Sequence, residues 1–396
     1  WMGSEDADLD ELGHIYLGGE KLVWETKQTG AVGRMKTTGL DQLIHRIEGE
    51  LSVQPYGAAL IQLLRDCYLQ STDIQTATFK LINALFAEYG LVVIVPDSAS
   101  LKRVMHPVFE DDLLHQGPAQ QVQKTIDELE RHYKVQAHPR PVNLFYLKDE
   151  VRELIEPLNG HYHVRNTKIQ FSKEEILAEL KAHPERFSPN VILRGLYQEM
   201  LLPNIAFIGG GGETAYWLEL KGLFDYYKVP FPVLVLRNSF LVVEKKWQEK
   251  IQRMGLQPKD FFQTEQQLLT HLVSRQKNGE LKLKQELEAT VQLYTLLKNK
   301  AAAVDQSLLQ HVEALQARTI KPLQELEKKL LRAEKRKYES EQRQIQAVRS
   351  ALFPQGGLQE RIDNFMPWYA QWGPDFIQNI YNHSHTTNPV FTILEC

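Results

Sequence analysis

The residues best suited to chemistry lie between Ile205 and Lys221. A short apolar run, Ile205-Ala206-Phe207-Ile208, feeds four glycines, Gly209, Gly210, Gly211 and Gly212, and Glu213 opens a helical pattern at once. Backbone without Cβ atoms can turn sharply and bring its N–H groups against a ligand, and the helix N-terminus beyond adds partial positive charge. Open α/β sheets bind ligands at such turns, at the carboxyl ends of strands. A tight turn with no ligand draws on the same residues. No Gly-Lys-Ser/Thr follows, so this is not a Walker A loop, and the GxGxxG spacing with a later acidic partner is missing. Glu213 suits a first helical turn and equally suits a substrate ammonium or hydroxyl.

A second cluster opens the chain. Ser4 precedes Glu5, Asp6 and Asp8, with Asp10 and Glu11 beyond. These acids could bind a metal, a ribose or an amine; an N-cap by Ser4 with acids in the first helical turn is the plainer reading. Arg34, after Thr29-Gly30-Ala31-Val32-Gly33, and Arg194, before Gly195-Leu196-Tyr197-Gln198, each place a fork of donors beside a turn or strand edge. Such forks suit carboxylate or phosphate, and they suit surface ion pairs as well. Arg237-Asn238, just past another apolar run, is similar. His161-Tyr162-His163 and His383-Ser384-His385 have ligand-like spacing but no Cys or carboxylate set around them, so no metal site is expected. Neither a Gly-x-Ser-x-Gly elbow nor a His-Glu-x-x-His motif occurs.

The elements that must position these residues alternate between strand and helix up to about residue 257. Phe79, Ile82, Leu85 and Phe86 have helical spacing with Gly90 as a stop, and Leu91-Val92-Val93-Ile94-Val95 then reads as a buried strand closed by Pro96-Asp97. The same grammar recurs at 142–147, 205–208 and 231–236. Ser172-Lys173-Glu174-Glu175 is a capping box, predicting a helix to about His183. Strands separated by helices need crossover connections, so an α/β core with a mostly parallel sheet is expected.

Beyond Pro258 the composition changes to Leu, Lys, Glu, Gln and Ala. Leu287, Tyr294, Ala301, Leu308 and Leu315 recur every seven residues, with Leu297, Val304 and His311 as a second seam. The pattern predicts a helix over 281–317 reaching roughly 55 Å, a break near Thr319, and a second helix from Pro322: an α-helical antiparallel coiled-coil arm. The basic residues among Lys328 to Lys337 are interleaved with glutamates and read as a solvated face. The expected domains are a core at 1–257, the arm at 258–353, and C-terminal helices with a strand at 354–396 that pack on the core.

Among 396 residues, 43% are apolar and 24% charged, with 46 Lys plus Arg against 50 Asp plus Glu, a formal net charge of −4. That balance gives no reason to expect nucleic acid or an anionic membrane as partner. Cys67 and Cys396 are the only cysteines, which excludes a disulfide scaffold and suits a reducing, cytoplasmic compartment. The opening Trp1-Met2-Gly3-Ser4 has the look of mid-protein sequence.

These segments resemble the bacillithiol biosynthesis cysteine-adding enzymes, a family of cysteine ligases. The resemblance is carried by Trp1-Met2-Gly3-Ser4-Glu5-Asp6, Gly30 to Arg34, Asn190 to Arg194 with Gln198, and the Gly209 to Lys221 block with Ala215-Tyr216-Trp217. It runs in order over essentially the whole chain, with the family's N-terminal part and first core strand outside it. It implies a Rossmann-like core with connecting-peptide insertions, a coiled coil that forms a homodimer, and the last step of bacillithiol synthesis, joining cysteine to glucosaminyl malate. ATP, with Mg, is the activating co-substrate to expect. Asp6 and Glu213 would then orient the reacting groups, while Ser4, Arg34, Arg194, Gln198, the Gly209 to Gly212 turn, Tyr216, Trp217, Arg237 and Asn238 would hold substrates and anionic charge. The chain departs from the family pattern at Ala7, where His is common, and at Gly195, where Pro is common. A nucleotide-binding or nucleotidyl-transferring relative that has lost cysteine chemistry is the alternative.

Overall fold

The computed structural model describes residues 3, 9–276, 283–335, 338–385, 388 and 390–396. The chain forms two compact units, one of residues 1–239 with 363–390, the other of residues 240–362 with 391–396.

The first unit opens with a hairpin of β1 (His14–Leu17) and β2 (Glu20–Val23), followed by helices at Leu40–Leu51, Gly57–Leu64 and Ile74–Phe86. Gly90, at φ 77°, ends the last of these as expected. Among the described residues, the run at 91–95 makes a bridge, the Ile94 carbonyl accepting the Gly3 N–H at 3.0 Å.

An antiparallel five-stranded sheet follows, in the order β6-β5-β4-β3-β7, built from β3 (Leu144–Lys148), β4 (Val151–Leu158), β5 (His161–Val164), β6 (Gln170–Phe171) and β7 (Phe187–Pro189). The helix at Lys173–Ala182 packs on it through Ile176 and Leu180. Its start is the expected capping box: the Ser172 hydroxyl accepts from the Glu175 N–H at 3.1 Å, and Glu175 accepts from the Ser172 N–H at 2.7 Å. Asn190 caps the helix Val191–Leu201, its side chain accepting from the Ile192 N–H at 2.9 Å.

β8 (Ala206–Gly209) and β9 (Val233–Leu236) pair in parallel, Ala206 opposite Val233 and Gly209 opposite Leu236. The helices Gly211–Glu219 and Lys221–Tyr227 make the crossover between them, as parallel pairing requires. Sheet structure in the unit is therefore mixed, and the parallel pair carries the glycine turn. Behind it lies a core of Tyr146, Phe187, Tyr197, Trp217, Leu220 and Phe224, all 2% exposed or less.

In the second unit, β10 (Ser239–Val243) pairs with β11 (Phe391–Glu395). The Gln359 side chain completes the Val242 peptide, accepting from its N–H at 2.8 Å and donating to its carbonyl at 3.1 Å. Leu241, Ile251, Phe261, Leu268, Ile345 and Val348 form the core there.

The arm is a hairpin of Lys284–Val304 and Leu308–Lys335. Tyr294 Oη lies 2.6 Å from Thr319 Oγ1, and Lys298 Nζ lies 3.4 Å from Glu313 Oε1. Both pairs centre on Asp305–Ser307, which makes the helices antiparallel. The break expected near Thr319 falls instead at that turn, where the Asp305 carboxylate accepts the Ser307 N–H at 2.8 Å. Pro322 sits inside the second helix; the donor it lacks would have met Arg318, an exposed residue whose carbonyl water can serve. The expected 281–317 helix includes residues 281 and 282, outside the described set.

Candidate functional site at the glycine turn

The four glycines have three different jobs. None has a left-handed φ, so the expected sharp backbone twist is not why they are there. At Gly209 a Cβ would stand 2.6 Å from the Phe207 ring and 3.1 Å from the Glu213 Cβ, so close packing demands glycine. Gly210 is the extended N-cap, φ −67° and ψ 170°. Gly211 and Gly212 are exposed, and a Cβ on either meets nothing within 4 Å. The fold itself makes no demand for glycine at these two positions.

Glu213 turns back on its own helix, Oε2 accepting the Gly210 N–H at 2.7 Å. This is half a capping box, because Gly210 has no side chain to return the bond. In the first helical turn the N–H groups of Gly211, Gly212 and Glu213 have no helical acceptor. Both glycines are exposed with open space where a Cβ would stand, and the helix dipole adds positive potential at this end. A carboxylate or phosphate is the ligand this suits.

Trp217, expected among the binding residues, is 2% exposed and belongs to the core instead. Its ring stacks on Phe207 at 3.8 Å between centroids and meets Phe224 and Phe231 at a tilt. Gly195 closes against it: a Cβ there would be 3.0 Å from Trp217 Cζ2. Trp217 therefore buttresses the turn from behind, while Tyr216 is half-buried. The Arg237 N–H donates to the Gly209 carbonyl at 2.8 Å, and Asn238 Oδ1 accepts the His385 N–H at 2.9 Å. Both fix the loop after β9.

A second constellation gathers on Ile94–Asp97. The Arg34 fork, expected to meet a substrate anion, is occupied by Asp97, with Nε at 2.6 Å and Nη2 at 2.7 Å. Nη2 also donates to the Glu185 carbonyl at 2.8 Å. Lys102, fully buried, reaches Asp97 Oδ1 at 3.3 Å and the same Glu185 carbonyl at 3.2 Å. Burial alone would raise the Asp97 pKa, but Arg34 and Lys102 outweigh it and hold the carboxyl below the ordinary range. Arg194 Nη2 donates to the Gly3 carbonyl at 2.6 Å, and the Tyr197 hydroxyl to the Pro96 carbonyl at 2.9 Å.

Gln198 donates to Glu199 at 3.2 Å, and buried Glu199 in turn accepts from the Asn204 backbone and side chain at 2.7 and 2.8 Å. These bonds shape the approach to β8. Ser4 and Asp6 lie outside the described residues, one and three positions beyond Gly3.

Sequence reading missed Asp97 and Lys102 as partners. Pro96-Asp97 at the end of an apolar run was the available signal for the first; nothing local marks Lys102 as buried. Next to this constellation is an apolar cavity of about 440 Å³, lined by Trp24, Val32, Gly33, Ile44, Tyr68 and Val95 among others. Among the described residues, no group of three or more His, Cys, Asp and Glu could hold a metal ion, and no helix is long and apolar enough to cross a membrane.

A parallel strand pair with a glycine turn in one unit, and a helical hairpin in the other, define a Rossmann-like protein with a coiled-coil domain. Two family models match in tandem: "Bacillithiol biosynthesis BshC, N-terminal Rossmann-like domain" over residues 1–238, and "Bacillithiol biosynthesis BshC, C-terminal coiled-coil domain" over residues 240–396. The chain belongs to the bacillithiol biosynthesis BshC family. It is similar to proteins named "Putative cysteine ligase BshC" from several bacteria. With that of Flavobacterium psychrophilum it shares 38% identity over 395 residues, covering 100% of this chain and 74% of the relative. The Flavobacterium johnsoniae protein is 40% identical over 377 residues, 95% of this chain and 71% of the relative. For Salinibacter ruber the identity is 30% over 395 residues, 96% and 72% of the two chains.

Proposed function

We propose that the chain is a cysteine ligase that joins the carboxyl of cysteine to the amine of glucosaminyl malate, forming the amide of bacillithiol as the last step of the pathway. The observation that carries the reading is the glycine turn itself: Gly211 and Gly212 open a helix at the end of a parallel strand, exposed, with free space where a side chain would stand. A carboxylate is a poor electrophile, so amide formation needs its activation, and ATP with Mg is the co-substrate proposed for it. The glycine turn would hold an anion, either a nucleotide phosphate or the malate carboxylates. Glu213 holds the turn with one carboxylate oxygen and would offer the other to an amine, with Asp6 as its companion. Arg34 acts through Asp97 in this account, not on substrate.

We also propose a homodimer formed through the arm. The helix Lys284–Val304 buries no residue, and Leu293, Leu296, Leu297 and Val304 are 40–82% exposed. A seam of that kind is what a second coiled-coil helix covers.

Calorimetry on the full-length gene product tests the site, with Mg-ATP, cysteine and glucosaminyl malate titrated separately into the wild type and Gly211→Val. The reading expects at least one anionic ligand to bind the wild type and to lose most of its affinity in the variant. Equal affinities would move the site elsewhere. Nucleotide binding with no response to cysteine or the sugar would favour the relative that has lost ligase chemistry.

A further inference from the structure

We propose that Glu219 is a positioning residue for the glycine turn: it pins the far end of the helix Gly211–Glu219 and so sets where the first-turn N–H groups at the other end point. The part of this inference that concerns substrate rests on the ligase reading above; the anchoring stands on the hydrogen bonds alone.

Glu219 is the last residue of the helix that the glycines open, and it is 2% exposed. One carboxylate oxygen accepts the Gln136 N–H at 2.7 Å, and the other accepts the Ala137 N–H at 3.1 Å. A carboxylate taken out of water is costly unless donors replace the water. Here two successive backbone N–H groups do so, one to each oxygen.

The loop that supplies them is itself held on both sides. Before it, the helix Gly117–Leu129 buries Val122 and Ile126, and it lies so close to the helix Lys221–Tyr227 that a Cβ on Gly222 would stand 2.6 Å from Thr125 Oγ1. After it, the Asn143 side chain accepts the Arg140 N–H at 3.0 Å and donates to the Arg140 carbonyl at 2.9 Å. Asn143 is held in turn by fully buried Asp112. Glu219 therefore ties its helix to a frame outside that helix.

Apolar packing and these bonds do different things. Trp217, two residues earlier, stacks on Phe207 of β8 and keeps the helix against the sheet. Such contact is non-directional and tolerates small rotations, whereas bonds from two neighbouring N–H groups to one planar carboxylate fix the helix about its axis and along it. Nine residues at about 1.5 Å each place Gly211 about 12 Å from Glu219. Over that length a tilt of about 5° displaces the first turn by about 1 Å, and a misplacement of about 1 Å costs up to about 100-fold in rate.

The test uses the full-length gene product as wild type, Glu219→Gln and Gly211→Val, followed by amide exchange and by ligation kinetics with Mg-ATP, glucosaminyl malate and cysteine varied in turn. Glutamine presents an NH2 group to one of the two N–H donors, so exchange in peptides covering Gln136 and Ala137 should rise about tenfold or more. Gly211→Val should raise the KM of one anionic substrate, Mg-ATP or glucosaminyl malate. In Glu219→Gln the KM of that same substrate should rise about tenfold, with the cysteine KM moving less than about threefold. A variant that has merely lost folded enzyme shows a lower kcat with every KM unchanged, so the pattern separates positioning from stability. Unchanged exchange at Gln136 and Ala137 overturns the anchoring. Raised exchange with wild-type kinetics, with a lower kcat alone, or with a different KM raised overturns the positioning. A wild type that forms no product, or a Gly211→Val with unchanged KM values, removes the reading of the site, while raised exchange in Glu219→Gln leaves the anchoring standing. Should Glu219→Gln fail to fold, Glu219→Asp keeps the charge and shortens the reach by a methylene; the same exchange and KM pattern is expected there, and its absence refutes the inference.

Discussion

Replacing Gly211 with alanine separates what the fold needs at the turn from what a ligand needs. Gly211 is the first residue of its helix, its φ is not left-handed, and a Cβ there meets nothing within 4 Å. Alanine is favoured over glycine by about 1 kcal/mol in a helix interior and by less at the first turn. Gly211→Ala should therefore keep or gain stability by up to about 1 kcal/mol, raising the thermal midpoint by no more than about 4 °C. The added methyl stands beside the N–H groups proposed to hold an anion. Loss of a fitted anion contact is worth roughly tenfold to 100-fold, so kcat/KM should drop about tenfold in Gly211→Ala and about 100-fold in Gly211→Val. Gly209→Ala is the contrasting control. Its methyl would lie 2.6 Å from Phe207, which cannot retreat because it is stacked on Trp217, so overpacking should cost about 1–3 kcal/mol. Thermal unfolding and steady-state ligation on the same preparations give both readouts. Wild-type kcat/KM in Gly211→Val would refute the reasoning, as would a loss of stability in Gly211→Ala beyond about 1 kcal/mol.

Three further outcomes follow from the packing and charge. Gly195→Ala should destabilise by about 1 kcal/mol, since overpacking against Trp217 exceeds the gain in helix propensity, and the Trp217 fluorescence should change with it. Asp112 is fully buried and accepts two bonds from Asn143, at 2.6 and 3.0 Å, yet burial pushes its pKa up to about 7. A raised acid pKa means that its contribution is complete below the unfolded value near 4 and is lost as pH rises through 7. Urea midpoints should therefore fall between pH 5 and 7.5, by at most about 1.4 kcal/mol per pH unit from this group, and Asp112→Asn should remove that slope. In the arm, Leu293→Glu with Leu296→Glu should give a monomer by light scattering with the unfolding of the remainder unchanged; a persisting dimer would place the interface elsewhere.

What could be read in the sequence was local chemistry. Ser172 and Glu175 carry their capping box in four consecutive residues, and the strand–glycine–helix order at Ile208 to Glu213 needs no distant partner. Where distant partners decide, reading failed. Thr319 and Pro322 look like a helix break, whereas the chain reverses at Asp305–Ser307 and carries the proline on an exposed helix. Trp217 shares a motif with the glycine turn, yet its place is set by Phe207, Phe231 and Gly195, far apart along the chain. Arg34 was legible as a fork without its occupant, because nothing near Asp97 or Lys102 in sequence announces that the three side chains meet.

The central claim is amide formation between cysteine and the sugar amine. The most direct measurement incubates the purified full-length gene product with cysteine, glucosaminyl malate and Mg-ATP, and looks by mass spectrometry for bacillithiol, omitting each component in turn. The account predicts a product that disappears when cysteine, the sugar or ATP is left out, and that is reduced about 100-fold in rate in Gly211→Val. Bound substrates with no bacillithiol mass under any of these conditions would contradict it.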